Sequence, residues 1–81
     1  MRPEDIIALL RKSPFQPFRI WVSDGAHFDV SHPDLAMVFR TIVVIGVPGR
    51  RGPDGPLEKS VNVALVHITR TEALDAATVN A

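Results

Sequence analysis

Phe18-Arg19-Ile20-Trp21-Val22-Ser23-Asp24-Gly25-Ala26-His27-Phe28-Asp29-Val30-Ser31 is the stretch that decides the fold. Phe18, Ile20 and Val22 alternate with Arg19, Trp21 and Ser23, the period of a strand with one face in a core. Asp24-Gly25 is a hairpin signal, and Phe28 and Val30 resume the alternation beyond it. A two-residue loop at Asp24-Gly25 would set Trp21 against Phe28 and Ile20 against Asp29, which mixes apolar and polar faces. A three-residue loop, Ser23-Asp24-Gly25, pairs Ile20 with Phe28 and Phe18 with Val30 on one face. Trp21 then faces His27, and Arg19 faces Asp29 as a cross-strand ion pair on the other. That loop needs a left-handed residue in third place, which Gly25 supplies as the glycine of a bulge. The three-residue loop is the expected one.

Upstream, Ser13-Pro14-Phe15-Gln16-Pro17 is a stiff linker with Phe15 as its anchor on the core. Before it, residues 3–12 read as a helix. Pro3 suits the first helical position, Glu4 and Asp5 lie where the helix dipole favours anions, and Ile6, Leu9 and Leu10 make one apolar stripe. Arg11 and Lys12 favour the last turn, and Pro14 forbids continuation. A stripe this short is not stable alone, so the helix must cap an apolar surface.

Downstream, His32-Pro33-Asp34 turns the chain into a short strand at Leu35–Phe39, and Arg40-Thr41 turn it again. Ile42-Val43-Val44-Ile45 is β-branched throughout, the pattern of a strand covered on both faces, so residues 35–47 hold a short and a buried strand. Residues 48–59 read as a Gly/Pro loop, residues 61–68 as the last strand and residues 71–81 as an alanine-rich tail. The whole is expected to be a single domain, mainly β with one N-terminal helix. Five short antiparallel strands should curl into a small SH3-like or Sm-like barrel or strongly bent sheet. A flatter α+β sheet with the helix on one face is the alternative.

The chain of 81 residues carries nine Lys and Arg against nine Asp and Glu, no cysteine, and 46% apolar residues. The balance is five against five through Arg40 and four against four after it, so neither half is basic or acidic. Such neutrality disfavours a general nucleic-acid binder, which needs positive surface to displace counterions. Without cysteine there is no disulfide framework, thiolate metal site or thiol nucleophile, which fits a cytoplasmic protein. No secretory leader is read in residues 1–10, where Glu4 and Asp5 interrupt any apolar run, and the apolar stretch 42–48 is too short to span a bilayer.

Arg19, Trp21 and His27 form the leading candidate patch, an aromatic beside cations on the exposed hairpin face that could stack a base or anchor a protein. Arg40 joins them as a cation that an assembly of subunits could align. Arg50 and Arg51 could meet an anionic partner, although Asp54, Glu58 and Lys59 leave their segment with one positive charge in excess. Gly46, Gly49, Gly52 and Gly55 recur every third residue, but four triplets are too few for a collagen helix. No Lys-Ser/Thr pair follows them, so a P-loop is rejected. His27 with Asp29, His32 with Asp34, and His67 are metal-capable types, better explained as surface polar residues. The tripeptide His32-Pro33-Asp34 matches the signature of J-domain co-chaperones, which sits between helices, whereas strands flank it here. No serine lies in a nucleophile-elbow context and no carboxylate pair converges, so neither an enzyme, a metal nor a cofactor is expected.

Pro14-Phe15-Gln16-Pro17-Phe18-Arg19-Ile20, Ser23-Asp24-Gly25, Val30-Ser31-His32-Pro33-Asp34, Ile42 to Gly46 and Leu65-Val66-His67-Ile68-Thr69-Arg70 together resemble a family of short uncharacterised bacterial proteins abundant in planctomycetes. The resemblance covers nearly all of the chain outside residues 48–59 and the tail. It implies one compact domain, and with no established function in the family it assigns no site residues. Relatives read Ile-Glu where this chain has Thr71-Glu72, a departure expected to loosen the end of the last strand. The leading expectation is a small non-enzymatic interaction or regulatory module, oligomeric through the edges of its sheet, with no small-molecule substrate and no membrane partner. An Sm-like RNA-binding protein is the alternative, suggested by a helix followed by five strands and by Arg19, Trp21 and Arg40.

Overall fold

The computed structural model describes residues 1–75. The elements run α1 (Pro3–Leu10), β1 (Phe18–Val22), β2 (His27–Val30), a 3-10 turn (Pro33–Leu35), β3 (Ala36–Val38), β4 (Ile42–Gly49), β5 (Gly52–Ala64), a second 3-10 turn (Leu65–His67) and β6 (Ile68–Ala73). The strands form two three-stranded antiparallel sheets, β2-β1-β6 and β3-β4-β5. No closed barrel is formed among the described residues.

The first hairpin adopts the register that sorts its faces. Phe18 pairs with Val30, Arg19 with Asp29, Ile20 with Phe28 and Trp21 with His27. The Val22 amide donates to the Ala26 carbonyl at 3.0 Å, the Gly25 amide donates to Val22 O at 3.0 Å, and Gly25 sits at φ +90°. The Asp24 carboxylate also accepts from the Ala26 amide at 2.9 Å, pinning the turn from within.

The helix begins at Pro3 as expected and ends at Leu10, so Arg11 and Lys12 fall just beyond it. Asp5 closes its first turn: the Arg2 amide donates to Asp5 Oδ2 at 3.1 Å, and the Asp5 amide donates back to Arg2 O at 3.1 Å. Ile6 is fully buried, Leu9 and Leu10 pack behind it, and the helix lies against β3. Phe15 packs on the same core, its ring centroid 6.1 Å from that of Phe18.

The second half of the chain departs from expectation. Residues 48–59 are not a loop: β4 runs on to Gly49, only Arg50 and Arg51 turn, and β5 returns from Gly52, itself at φ +72°. The prolines are tolerated because β5 is an edge strand, with β4 as its one ladder partner among the described residues, and because the register shifts on both sides of Pro48. Residues 61–68 are not one strand. The chain leaves the second sheet at Ala64, turns through Leu65–His67 and enters the first sheet at Ile68, making six strands rather than five. Of the expected tail, Thr71–Ala73 belong to β6, which continues through the Thr71-Glu72 departure, and residues 76–81 lie outside the described residues.

The core is one cluster between the sheets. Phe18, Ile20, Val30 and Ile68 enter from the first, Val43, Ile45 and Val63 from the second, with Ile6 from the helix and Leu35 and Leu65 from the two 3-10 turns. Residues 42–45 are therefore covered on one face only. Val43 and Ile45 are buried, whereas Ile42 and Val44 point outward and are half-buried.

Candidate functional site

Ladder register places the candidate side chains. On the outer face of the first sheet, Asp29, Arg19 and Glu72 form one rung across β2, β1 and β6, and His27, Trp21 and Arg70 form the next. Arg19 Nε donates to Asp29 Oδ1 at 2.6 Å and Nη2 donates to Oδ2 at 3.0 Å, a two-pronged pair. The hydrogen bond that Arg19 donates to Asp29 holds its guanidinium above the ordinary arginine pKa, opposed by partial burial and helped by the nearby charges of Asp29 and Glu72. Trp21 is half-buried, and its Nε1 donates to Glu72 Oε1 at 3.0 Å. Arg70 stacks on the indole with its guanidinium carbon 4.6 Å from the ring centroid, Arg19 stands 5.8 Å away, and the His27 ring lies at 4.8 Å, tilted by 48°.

The structure thus brings Arg19, Trp21 and His27 together and adds Arg70 and Glu72, which sequence periodicity alone does not join to them. Ile68 and Arg70 are two residues apart, so an unbroken strand would put both on one face. Trp21 pairs with Arg70 but Val22 pairs with Ile68, leaving Thr69 as an extra residue, its hydroxyl donating to Trp21 O at 3.3 Å. That bulge turns Ile68 into the core and Arg70 outward. Arg40 stands apart in the β3–β4 turn, and Arg50 and Arg51 stand at the β4–β5 tip, so these three do not extend the patch.

Chemically, this face satisfies itself. The Arg19 fork is spent on Asp29, the indole N–H on Glu72, and the indole ring already has Arg70 and His27 as neighbours. His27 and Asp29 share the face, yet Asp29 is engaged by Arg19, and among the described residues no group of three or more His, Asp or Glu is placed to hold a metal ion.

The outer face of the second sheet is different in kind. Phe39, Ile42 and Ala64 make one rung and Met37, Val44 and Asn62 the next, with the Phe39 amide donating to Ile42 O at 2.8 Å. Met37 is 62% exposed and Phe39 47%, and neither rung carries a charged side chain. No described helix is long and apolar enough to cross a membrane. Comparison with protein-family models, with curated proteins and with solved structures finds no match for this chain.

Proposed function

We propose that this chain is a small non-enzymatic interaction module that associates with further copies of itself through the outer face of its second sheet. The observation that carries the reading is the uncharged, half-exposed surface of Met37, Phe39, Ile42, Val44 and Ala64, backed by a fully packed core. Apolar surface on a sheet face favours burial, and an uncharged patch can meet its own copy about a two-fold axis without like-charge cost. The module is an open SH3-like or Sm-like half-barrel. This assignment is supported by the order β2-β1-β6 and β3-β4-β5, with a 3-10 turn carrying the chain from β5 to β6. Sedimentation velocity over a wide concentration range tests the association. The unaltered chain is expected to show concentration-dependent assembly, and the Met37→Lys/Phe39→Lys double variant, altered only at exposed positions, to remain folded and monomeric. A strict monomer at every concentration defeats the proposal.

The second reading is an Sm-like RNA-binding protein, favoured by Arg70 and Arg19 around the half-exposed Trp21. It predicts retention of single-stranded RNA at low salt, falling with a steep salt slope and lost in Trp21→Ala. RNA binding with no salt dependence, or none at low salt, removes it.

A further inference from the structure

We infer that the seam between the first hairpin and β5 is a peptide-binding cleft that takes an extended, apolar segment with a basic end as an added strand on β5. It uses the edge of β5, whereas the association face proposed above is the outer face of the same sheet, and the two adjoin at Asn62 and Ala64.

An open cleft of about 400 Å³ lies between Val22–Phe28 on one side and Val61–Ala64 on the other, with His67 at its rim. Four consecutive β5 residues line it, and because alternate residues belong to opposite faces, the cleft runs along the strand's edge rather than over one face. Among the described residues that edge is unpaired, since β4 is the one strand that ladders with β5.

The ladder shows which groups it offers. The Leu65 amide donates to Thr41 O at 2.9 Å, and alternation along the antiparallel pair then turns the main chain of Val63 and Val61 toward β4. The N–H and C=O of Ala64, Asn62 and Ser60 therefore point outward along the cleft.

The rest of this edge is guarded. Pro53 and Pro56 lack amides, the register shifts near the tip, and Glu58 and Lys59 bring charge, all devices that discourage strand addition. Residues 60–64, Ser-Val-Asn-Val-Ala, carry none of these. The unguarded part of the strand coincides with the cleft.

The occupant follows from the walls. Val22, Phe28, Val61 and Val63 supply apolar lining for alternate side chains of an added strand, while Ser23, Asn62 and His67 keep the rim polar. Asp24 is the one Asp, Glu, Lys or Arg in the lining, and complementarity places a lysine or arginine of the incoming segment beside it. The first hairpin supplies the facing wall of the cleft, so a lone extended segment fits there, whereas the edge of a second folded sheet brings bulk on both sides.

The experiment uses seven-residue synthetic peptides alternating valine and threonine, with Lys or Glu at either end, titrated against the full chain by fluorescence anisotropy. Lys-ended peptides are expected to bind, with Glu-ended peptides about tenfold weaker. Asn62→Pro removes a donor that points away from β4 and should cost about tenfold while leaving the ladder intact. Asp24→Asn, which keeps the acceptor for the Ala26 amide, should erase the preference for Lys over Glu. If Asn62→Pro does not fold, peptides N-methylated at alternate residues make the same test on the unaltered protein and should bind about tenfold more weakly. The Met37→Lys/Phe39→Lys protein should bind the peptides unchanged, which separates this cleft from the association face. The proposal is overturned if no peptide is retained, if N-methylation is without effect, or if the Met37→Lys/Phe39→Lys protein no longer binds the peptides.

Discussion

At the scale of single residues, two glycines hold the hairpins to their geometry. Gly25 and Gly52 sit at φ +90° and +72°, and in both places an added Cβ would meet open space. Substitution there costs only the left-handed backbone, with no steric clash to confuse the measurement. Gly25→Ala is expected to lose about 1 kcal/mol in urea unfolding and Gly25→Asn less, because asparagine tolerates that region. Gly46 has no positive φ but leaves an added Cβ 2.7 Å from Leu57 Cδ1. Since Leu57 is half exposed and free to turn aside, Gly46→Ala should cost less than Gly25→Ala in the same experiment. A guanidinium whose folded pKa is raised contributes its full stability below the unfolded value and loses it only as pH rises through the folded one. Unfolding by urea at pH 6 and pH 9 should therefore show the same loss for Arg19→Met.

At the scale of elements, β4 separates the two faces of the second sheet. Ile45 is 1% exposed and faces the core, while Ile42 points outward. Ile45→Ala should cost about 2–5 kcal/mol and Ile42→Ala clearly less, measured by denaturant midpoint at constant slope. Equal costs would mean that both faces of β4 are covered in solution. The comparison also shows what the sequence could disclose. The first hairpin was legible because Phe18, Ile20, Phe28 and Val30 alternate and Gly25 admits one loop, so register and turn follow from local chemistry. The Val61–Ile68 run carries no such mark. Its apolar residues continue across Ala64 and Leu65, and the break there comes from the sheet it must reach, which is a tertiary demand. The Gly/Pro-rich hairpin at 46–57 misleads for a related reason: proline opposes a ladder only where its missing amide would be needed, and an edge strand does not need it. Arg70 and Glu72 were hidden by the bulge at Thr69, because a skipped residue inverts the parity by which faces are read. The Arg19, Trp21 and His27 patch was legible as a cluster, whereas its self-satisfaction depends on β6.

At the scale of the whole molecule, the two sheets are built from different kinds of chain proximity. The second sheet is sequential, with β3, β4 and β5 following one another from Ala36 to Ala64 through turns at Arg40-Thr41 and Arg50-Arg51. The first sheet joins β1 to β6, so Phe18 lies opposite Ala73, and the ladder extends to the Leu74 amide, which donates to Pro17 O at 2.9 Å. The Met1 ammonium group reaches Leu65 O at 3.1 Å, binding the start of the chain to the passage between the sheets. A two-stranded hairpin such as β1–β2 is marginal by itself in water, and contacts distant in sequence form slowly. During synthesis the second sheet can assemble as soon as β5 has emerged, but β1–β2 must wait for the residues from Ile68 onward. Trp21, the single tryptophan, lies on that late-closing sheet. Its fluorescence in stalled nascent chains should stay unfolded-like with residues 1–66 exposed and change only once Ala73 clears the ribosome. Closure of the β1–β6 ladder thus makes the stability of the first hairpin in the nascent protein depend on β6 having been translated.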